Sequence, residues 1–187
     1  MKKILFAVSL ITLLISCKKE VSDMQTSYFV RFYGDAQEDV AADIELNSDG
    51  GYVIAATTQR ALPRTDTDIK LFTTDKFGFQ NSETFYFGSL GKDSIYLNEK
   101  CTGLLVLDDG YVVSGYFNDG GTESTDSLLL VKFRKDGTRE WSIPNDPGFY
   151  DRTGQLNDIA LVNNQIVVAG FTLQGGTKKP LYCISRI

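Results

Sequence analysis

Three stretches of the chain share one pattern of hydrophobic and polar positions: ADIELNSDGGYVIAATT from Ala42, TGLLVLDDGYVVSGYFN from Thr102 and NDIALVNNQIVVAGFTL from Asn157. Each is an apolar run, a turn of Asn, Asp, Ser or Gly, and a second apolar run, the local signature of a β-hairpin. Tyr52, Tyr111 and Ile166 correspond, which sets a period of about 55 to 60 residues, the length of one repeated unit. The register continues past the first two hairpins, where DIKLFTTDKFG (Asp68 to Gly78) matches SLLLVKFRKDG (Ser127 to Gly137). Aromatic, strand-like segments follow, ETFYFG ending at Gly88 and REWSI from Arg139 to Ile143. The third copy runs out at PLYCISRI.

The missing strand has a counterpart at the other end, since SYFVRFYG (Ser27 to Gly34) looks like ETFYFG and precedes the first hairpin as ETFYFG precedes the second. The predicted fold is therefore all-β, a β-propeller-like array of about three four-stranded antiparallel blades. Its last blade is closed by the N-terminal strand, which leaves no raw sheet edge. GYVVSGYF and QIVVAGFT are nearly continuous apolar runs, as expected of strands buried on both faces. The small residues Ala56, Gly115 and Gly170 stand at equivalent places and predict a crowded inner strand near the axis. Propellers usually have four to eight blades. Three units thus predict a small ring within one chain, a homodimer that joins two arrays, or an open array whose apolar faces await a partner.

The N-terminus, MKKILFAVSLITLLISCKKE, changes the picture from fold to address. Its apolar run from Ile4 to Ile15 is shorter than the ~20 residues of a membrane-spanning helix and follows two lysines, the layout of a secretory signal. LISC, Leu14 to Cys17, resembles the lipobox of bacterial lipoproteins. The resemblance implies cleavage before Cys17 and attachment of diacylglycerol and usually a further acyl chain to that cysteine, enough for a stable anchor. Residues 1–16 are then signal peptide, 17–26 the lipidated cysteine and a polar tether, and 27–187 the β domain. The partner at this end is the lipid bilayer, and the location is the cell envelope. CKKE lacks an aspartate directly after the cysteine, which favours the outer over the inner membrane.

The repeats themselves carry a second resemblance. DGGYVIAA with DIKLFTTDKFG, and DDGYVVSG with SLLLVKFRKDGTREW, resemble the blades of secreted propellers and lipoproteins of Bacteroidota-type bacteria. Those blades read DGGY-V-x-x-G and then D-x-x-L-x-K-x-D-x-x-G-x-x-x-W. The first copy departs at Ala56 and lacks the tryptophan, and the third has Asn163-Asn164 in place of Asp-Gly. The resemblance implies an extracytoplasmic scaffold and carries no shared catalytic residue.

Composition narrows the chemistry. The net charge is −5 with no basic cluster beyond Lys18-Lys19, which argues against nucleic acid as a partner. There is no histidine, so the usual general base and the commonest metal ligand are missing. Cys101 and Cys183 lie in or beside β-like runs without framework spacing and are expected as separate buried thiols, a disulfide being the alternative. SLGK, Ser89 to Lys92, fits S-x-x-K but sits between glycines in a loop instead of at a helix start, so it reads as solvated loop. KDGTREW, Lys135 to Trp141, lacks the serine and spacing of the Asp-box of sialidase-type propellers and is expected to be a turn with Trp141 packed between blades.

The remaining candidates are acids and aromatics. Asp66 and Asp68, and Asp119, Glu123 and Asp126, occupy equivalent loops without Ca²⁺-loop spacing and are expected to be solvated carboxylates. Tyr116, Phe117, Phe149 and Tyr150 are the aromatic candidates for binding, the last two in the turn-rich loop NDPGFYDRTG. No catalytic set, metal site or cofactor is expected. The sequence points to a membrane-anchored, non-enzymatic scaffold that binds a protein or glycan. Two rivals are a carbohydrate-active hydrolase working through paired carboxylates, and an envelope assembly factor lending sheet edges.

Overall fold

The computed structural model describes residues 30–34, 37–88, 96–121, 125–143 and 153–186. Contacts divide the chain into two compact units, Met1–Val30 and Arg31–Ile187, and every strand lies in the second. The strands are β1 (Asp39–Leu46), β2 (Tyr52–Gln59), β3 (Thr67–Thr74), β4 (Gln80–Phe87), β5 (Asn98–Val106), β6 (Gly110–Asn118), β7 (Ser127–Arg134), β8 (Arg139–Ile143), β9 (Gly154–Val162), β10 (Gln165–Gln174) and β11 (Thr177–Arg186). They form three antiparallel sheets, β1-β2-β3-β4, β5-β6-β7-β8 and β9-β10-β11, and the described residues contain no helix.

The predicted hairpins form where the pattern places them. Asn163 and Asn164 both adopt positive φ, 51° and 59°, the conformation that a two-residue hairpin turn requires and that asparagine tolerates. In the second copy the reversal falls on Asp108 and Asp109, with Leu107 and Gly110 bonded across it, and Gly110 already belongs to β6. Gly51 and Gly110 correspond, and a Cβ on either would strike the carbonyl of Thr74 or Phe133 on the neighbouring strand. The repeated glycine therefore serves close approach of two backbones.

A β-bulge recurs at the same place in each sheet, between Ala41 and Asp43, Cys101 and Gly103, and Leu156 and Asp158. Opposite it stand Ala56, Gly115 and Gly170. These small residues lie on the second strand of each sheet, and a Cβ on Gly115 or Gly170 would collide with the carbonyl of Lys100 or Gln155. The bulge, which draws the opposing backbone inward, explains them better than proximity to an axis.

Side-chain alternation then assigns two cores. Leu129, Val131 and Phe133 of β7 face the first sheet with Val53, Ala55, Ile69 and Leu71. Leu128 and Leu130 face the third sheet with Ile159, Ile166 and Val168. β6 and β7 are thus buried on both faces, as their continuous apolar runs predict. β10 departs from that expectation: Ile166 and Val168 are buried, while Val167, Ala169 and Phe171 on the other face stay partly exposed. Trp141 packs against the second core, as the turn reading of KDGTREW requires.

The predicted closing strand is not found among the described residues. Val30–Gly34 pairs with no strand, and the third sheet has three strands. Tyr33 instead packs tilted against Phe72 of the first sheet, ring centroids 5.2 Å apart, and donates its hydroxyl to the Gly78 carbonyl at 2.8 Å, and the Arg31 guanidinium lies 4.0 Å over Phe79. β11 carries Lys178, Lys179 and Pro180, residues that blunt a sheet edge, whereas Phe72 offers Tyr33 an apolar surface to cover. Ser27–Phe29 lie outside the described residues.

Cys101 is free and buried, as expected, and burial pushes its thiol up to about 12. Native protein should leave Cys101 unreactive toward a thiol-disulfide reagent at neutral pH, with labelling only on unfolding. Gly115→Ala should lower unfolding free energy by about 2 kcal/mol or more in urea titrations, since it forces strand β6 off the Lys100 carbonyl. Gly121→Ala, where a Cβ would meet only the Asp119 side chain, should cost less than about 0.5 kcal/mol.

Candidate functional site

Within each sheet the first hairpin turn lies at one end and the following loop, β2–β3, β6–β7 or β10–β11, at the other, because each strand reverses direction. The loop rim carries the densest polar constellation among the described residues. Arg64 donates to Asp66 through two nitrogens, one at 2.9 Å, and reaches Asp68 at 3.0 Å. Arg60 reaches the other oxygen of Asp68 at 3.2 Å, and its backbone N–H bonds the Asp66 carbonyl at 2.9 Å. Asp66 and Asp68 are 8% and 2% exposed, so two buried carboxylates are covered by two partly exposed arginines.

Environment separates the two acids. The hydrogen bonds from Arg64 hold Asp66 below the usual carboxylate range, whereas burial lifts Asp68 above it despite both arginines. The sequence reading of these acids as solvated is therefore corrected: Arg64, two and four positions before the acids, and Arg60, eight before Asp68, fold back on them. Asp126 is likewise engaged, accepting from Asn118 at 2.9 Å and Gln155 at 2.5 Å while its carbonyl accepts from Gly154 at 2.7 Å, which ties the second sheet to the third. Asp119 accepts from the Gly121 N–H at 3.0 Å. Among the described residues no group of three or more acidic or sulfur side chains is placed to hold a metal ion. Glu123 lies outside the described residues.

Beside this network is a cleft of ≈ 460 Å³ lined by Pro63, Arg64, Asp66, Tyr96, Asn98 and Asp119. Its floor is the Arg64 guanidinium, held 3.8 Å over the Tyr96 ring, and its aromatic wall is Tyr96, 46% exposed. Asn98 lines the cleft and donates to Asn118 Oδ1 at 3.5 Å across β5 and β6. A half-exposed ring held on one face by Arg64, with the Asn98 amide and the Asp119 carboxylate beside it, suits contact with a polar, hydroxyl-bearing ligand. A second cleft of ≈ 490 Å³ at the turn rim, between Asp108-Asp109 and Asn163-Asn164, has no aromatic wall. There Asp109 is bonded to the buried Lys132 at 2.6 Å, which holds its carboxyl low.

The aromatic candidates fare unequally. Phe117 is 7% exposed and packs in the core between the first two sheets, because alternation along β6 turns it inward, so it cannot touch a ligand. Tyr116 points to the other face, is partly exposed, and has its hydroxyl raised by burial with Asp126 nearby. Phe149, Tyr150, Ser89 to Lys92 and Cys17 lie outside the described residues. Sequence reasoning missed Tyr96, Arg60 and Arg64. The run RALPRTDTD held the signal, two arginines just ahead of two spaced aspartates, but charge spacing in a loop becomes a network only when the loop folds back.

Asp66, with its lowered folded value, contributes stability that is present above about pH 4 and is lost as pH falls through that value. Arg64→Gln should lower stability by about 1 to 3 kcal/mol at neutral pH. The gap between variant and wild type should shrink in thermal melts taken progressively below about pH 4. A scan against protein-family models, a search of characterised proteins and a search of solved structures each found no match to this chain.

Proposed function

We propose that this protein is a non-enzymatic binding scaffold, anchored in the cell envelope through Cys17, that presents its loop rim to a glycan or a glycan-bearing protein. The observation that carries this reading is the state of the Asp66–Asp68 pair. Glycoside hydrolysis needs two carboxylates that a sugar can reach from either side of the scissile bond. Here both are buried, and Arg60 and Arg64 occupy their oxygens. What the rim leaves open is the Tyr96 ring and its amide surround, the equipment of recognition.

The propeller-like arrangement belongs to the same proposal. β5 lies against both β1 and β9, the first strands of the other two sheets, which supports a reading of these three as the inner strands. Such an arrangement would gather the β2–β3 and β6–β7 loops on one face for a single ligand. The resemblance of LISC to a lipobox supports the anchor.

Tyr96→Ala should weaken retention on immobilised envelope polysaccharide by at least about tenfold while leaving the melting temperature within a few degrees. Equal retention of wild type and variant would remove the site from consideration. Release of reducing sugar by wild type would favour the hydrolase instead. Cys17→Ser should abolish incorporation of labelled fatty acid and release the protein from the membrane fraction.

A further inference from the structure

The β3–β4 turn carries two phenylalanines that its own geometry does not need. The repeat equates Phe77 with Asp136 and Phe79 with Thr138. The two turns are built alike: the Gly78 and Gly137 N–H groups donate to the carbonyls of Asp75 and Arg134 at 3.0 and 2.9 Å, with φ of 77° and 78°. The β7–β8 turn fills the equivalent positions with an acid and a hydroxyl, Thr138 donating to Asp136 at 2.6 Å. The β3–β4 turn instead leaves Phe77 and Phe79 54% and 57% exposed. The Asp75 carboxylate beside them is engaged by the turn itself, accepting from the N–H groups of both phenylalanines at 2.8 and 2.9 Å.

The segment that enters the β domain lies against this turn. Arg31 donates from Nε to the Phe77 carbonyl at 3.4 Å with its guanidinium over the Phe79 ring, and Lys76 Nζ stands 5.1 Å over the Phe77 ring. Phe32, between Arg31 and Tyr33, is 96% exposed. Three exposed rings and two cations thus collect where the chain comes in. At the other end of β3 stand Asp66, Arg64 and the Tyr96 ring, and the eight residues of that strand put about 25 Å between its two ends.

We propose that Phe32, Phe77 and Phe79, with Arg31 and Lys76, dock this end of the domain on an anionic lipid surface and so hold the Tyr96 cleft away from the bilayer. The inference rests on the Cys17 anchor proposed above. Exposed rings with cations beside them match the head-group zone, where rings sit at the acyl boundary and cations meet phosphate. Residues 18–30 tie Arg31 to the anchor over at most ~50 Å. The tether keeps the bilayer at high effective concentration, so a patch of three rings suffices for docking without strong affinity of its own.

Full-length protein in vesicles of phosphatidylethanolamine and phosphatidylglycerol with brominated acyl chains tests this. The reporters are Phe77→Trp and Tyr96→Trp, each read above the common background of Trp141, the one native tryptophan. Bromolipid should quench Phe77→Trp at least about threefold more than Tyr96→Trp, and adding Phe32→Ser and Phe79→Ser should remove most of that difference with melting unchanged. Equal quenching at the two positions, or stronger quenching of Tyr96→Trp, would overturn the proposal. Labelled fatty acid is scored on the same samples. Label with equal quenching removes the docking surface and leaves the anchor, whereas preferential quenching of Phe77→Trp without label removes the anchor and leaves the surface. A response of Phe77→Trp to soluble envelope polysaccharide and not to vesicles would assign these rings to glycan binding and overturn the proposal as well.

Discussion

The structure depends on a single constraint: the middle sheet must bury both of its faces. β6 and β7 are apolar at odd and even positions alike, and no arrangement of one layer against water satisfies them. Val113, Leu129, Val131 and Phe133 need a sheet on one side, and Val112, Leu128 and Leu130 need one on the other. At roughly 25 cal/mol per Å² of apolar surface removed from water, these side chains dominate whatever the polar contacts add. The third sheet is held by the middle one and leaves its second face partly open, whereas β2 and β3 of the first sheet are buried on both faces, with Tyr33 lying against Phe72 on the outer one.

Face-to-face packing brings backbone into contact with foreign side chains, and the bulges manage the polar consequences. Where the bulge interrupts the ladder on β5, the Cys101 N–H finds Thr57 Oγ1 at 3.0 Å and the Leu104 N–H finds Asp43 Oδ2 at 2.8 Å. Thr102, the extra residue of that bulge, donates to the Leu156 carbonyl of the third sheet at 2.7 Å. Buried donors freed by an irregular ladder are expensive unless met. Here the neighbouring sheet meets them, so the same irregularity fixes the register between sheets.

The polar rim follows from the same packing. With apolar positions committed to the cores, charge collects in the loops, and the β2–β3 loop turns back far enough to bury its own aspartates under its own arginines. Locked acids serve rigidity. The surface left for recognition is the ring of Tyr96 and the amides beside it, held in place because Arg64 is pinned from below.

The β class, the three hairpins, the period and the two-faced burial of β6 were legible in the sequence, because turn chemistry and strand alternation act over a few residues, whereas the same pattern in β10 was not met by a second covering sheet. The sequence placed the small residues Gly115 and Gly170 correctly but attributed them to the axis, since a bulge is a property of two strands and is invisible in one. Only the tertiary structure decided that Tyr33 caps the first sheet, that Phe117 is core while Tyr96 is rim, and that Asp66 and Asp68 are paired with Arg60 and Arg64. Each of those outcomes is a competition between contacts distant in the chain, settled by which surfaces meet when the sheets stack.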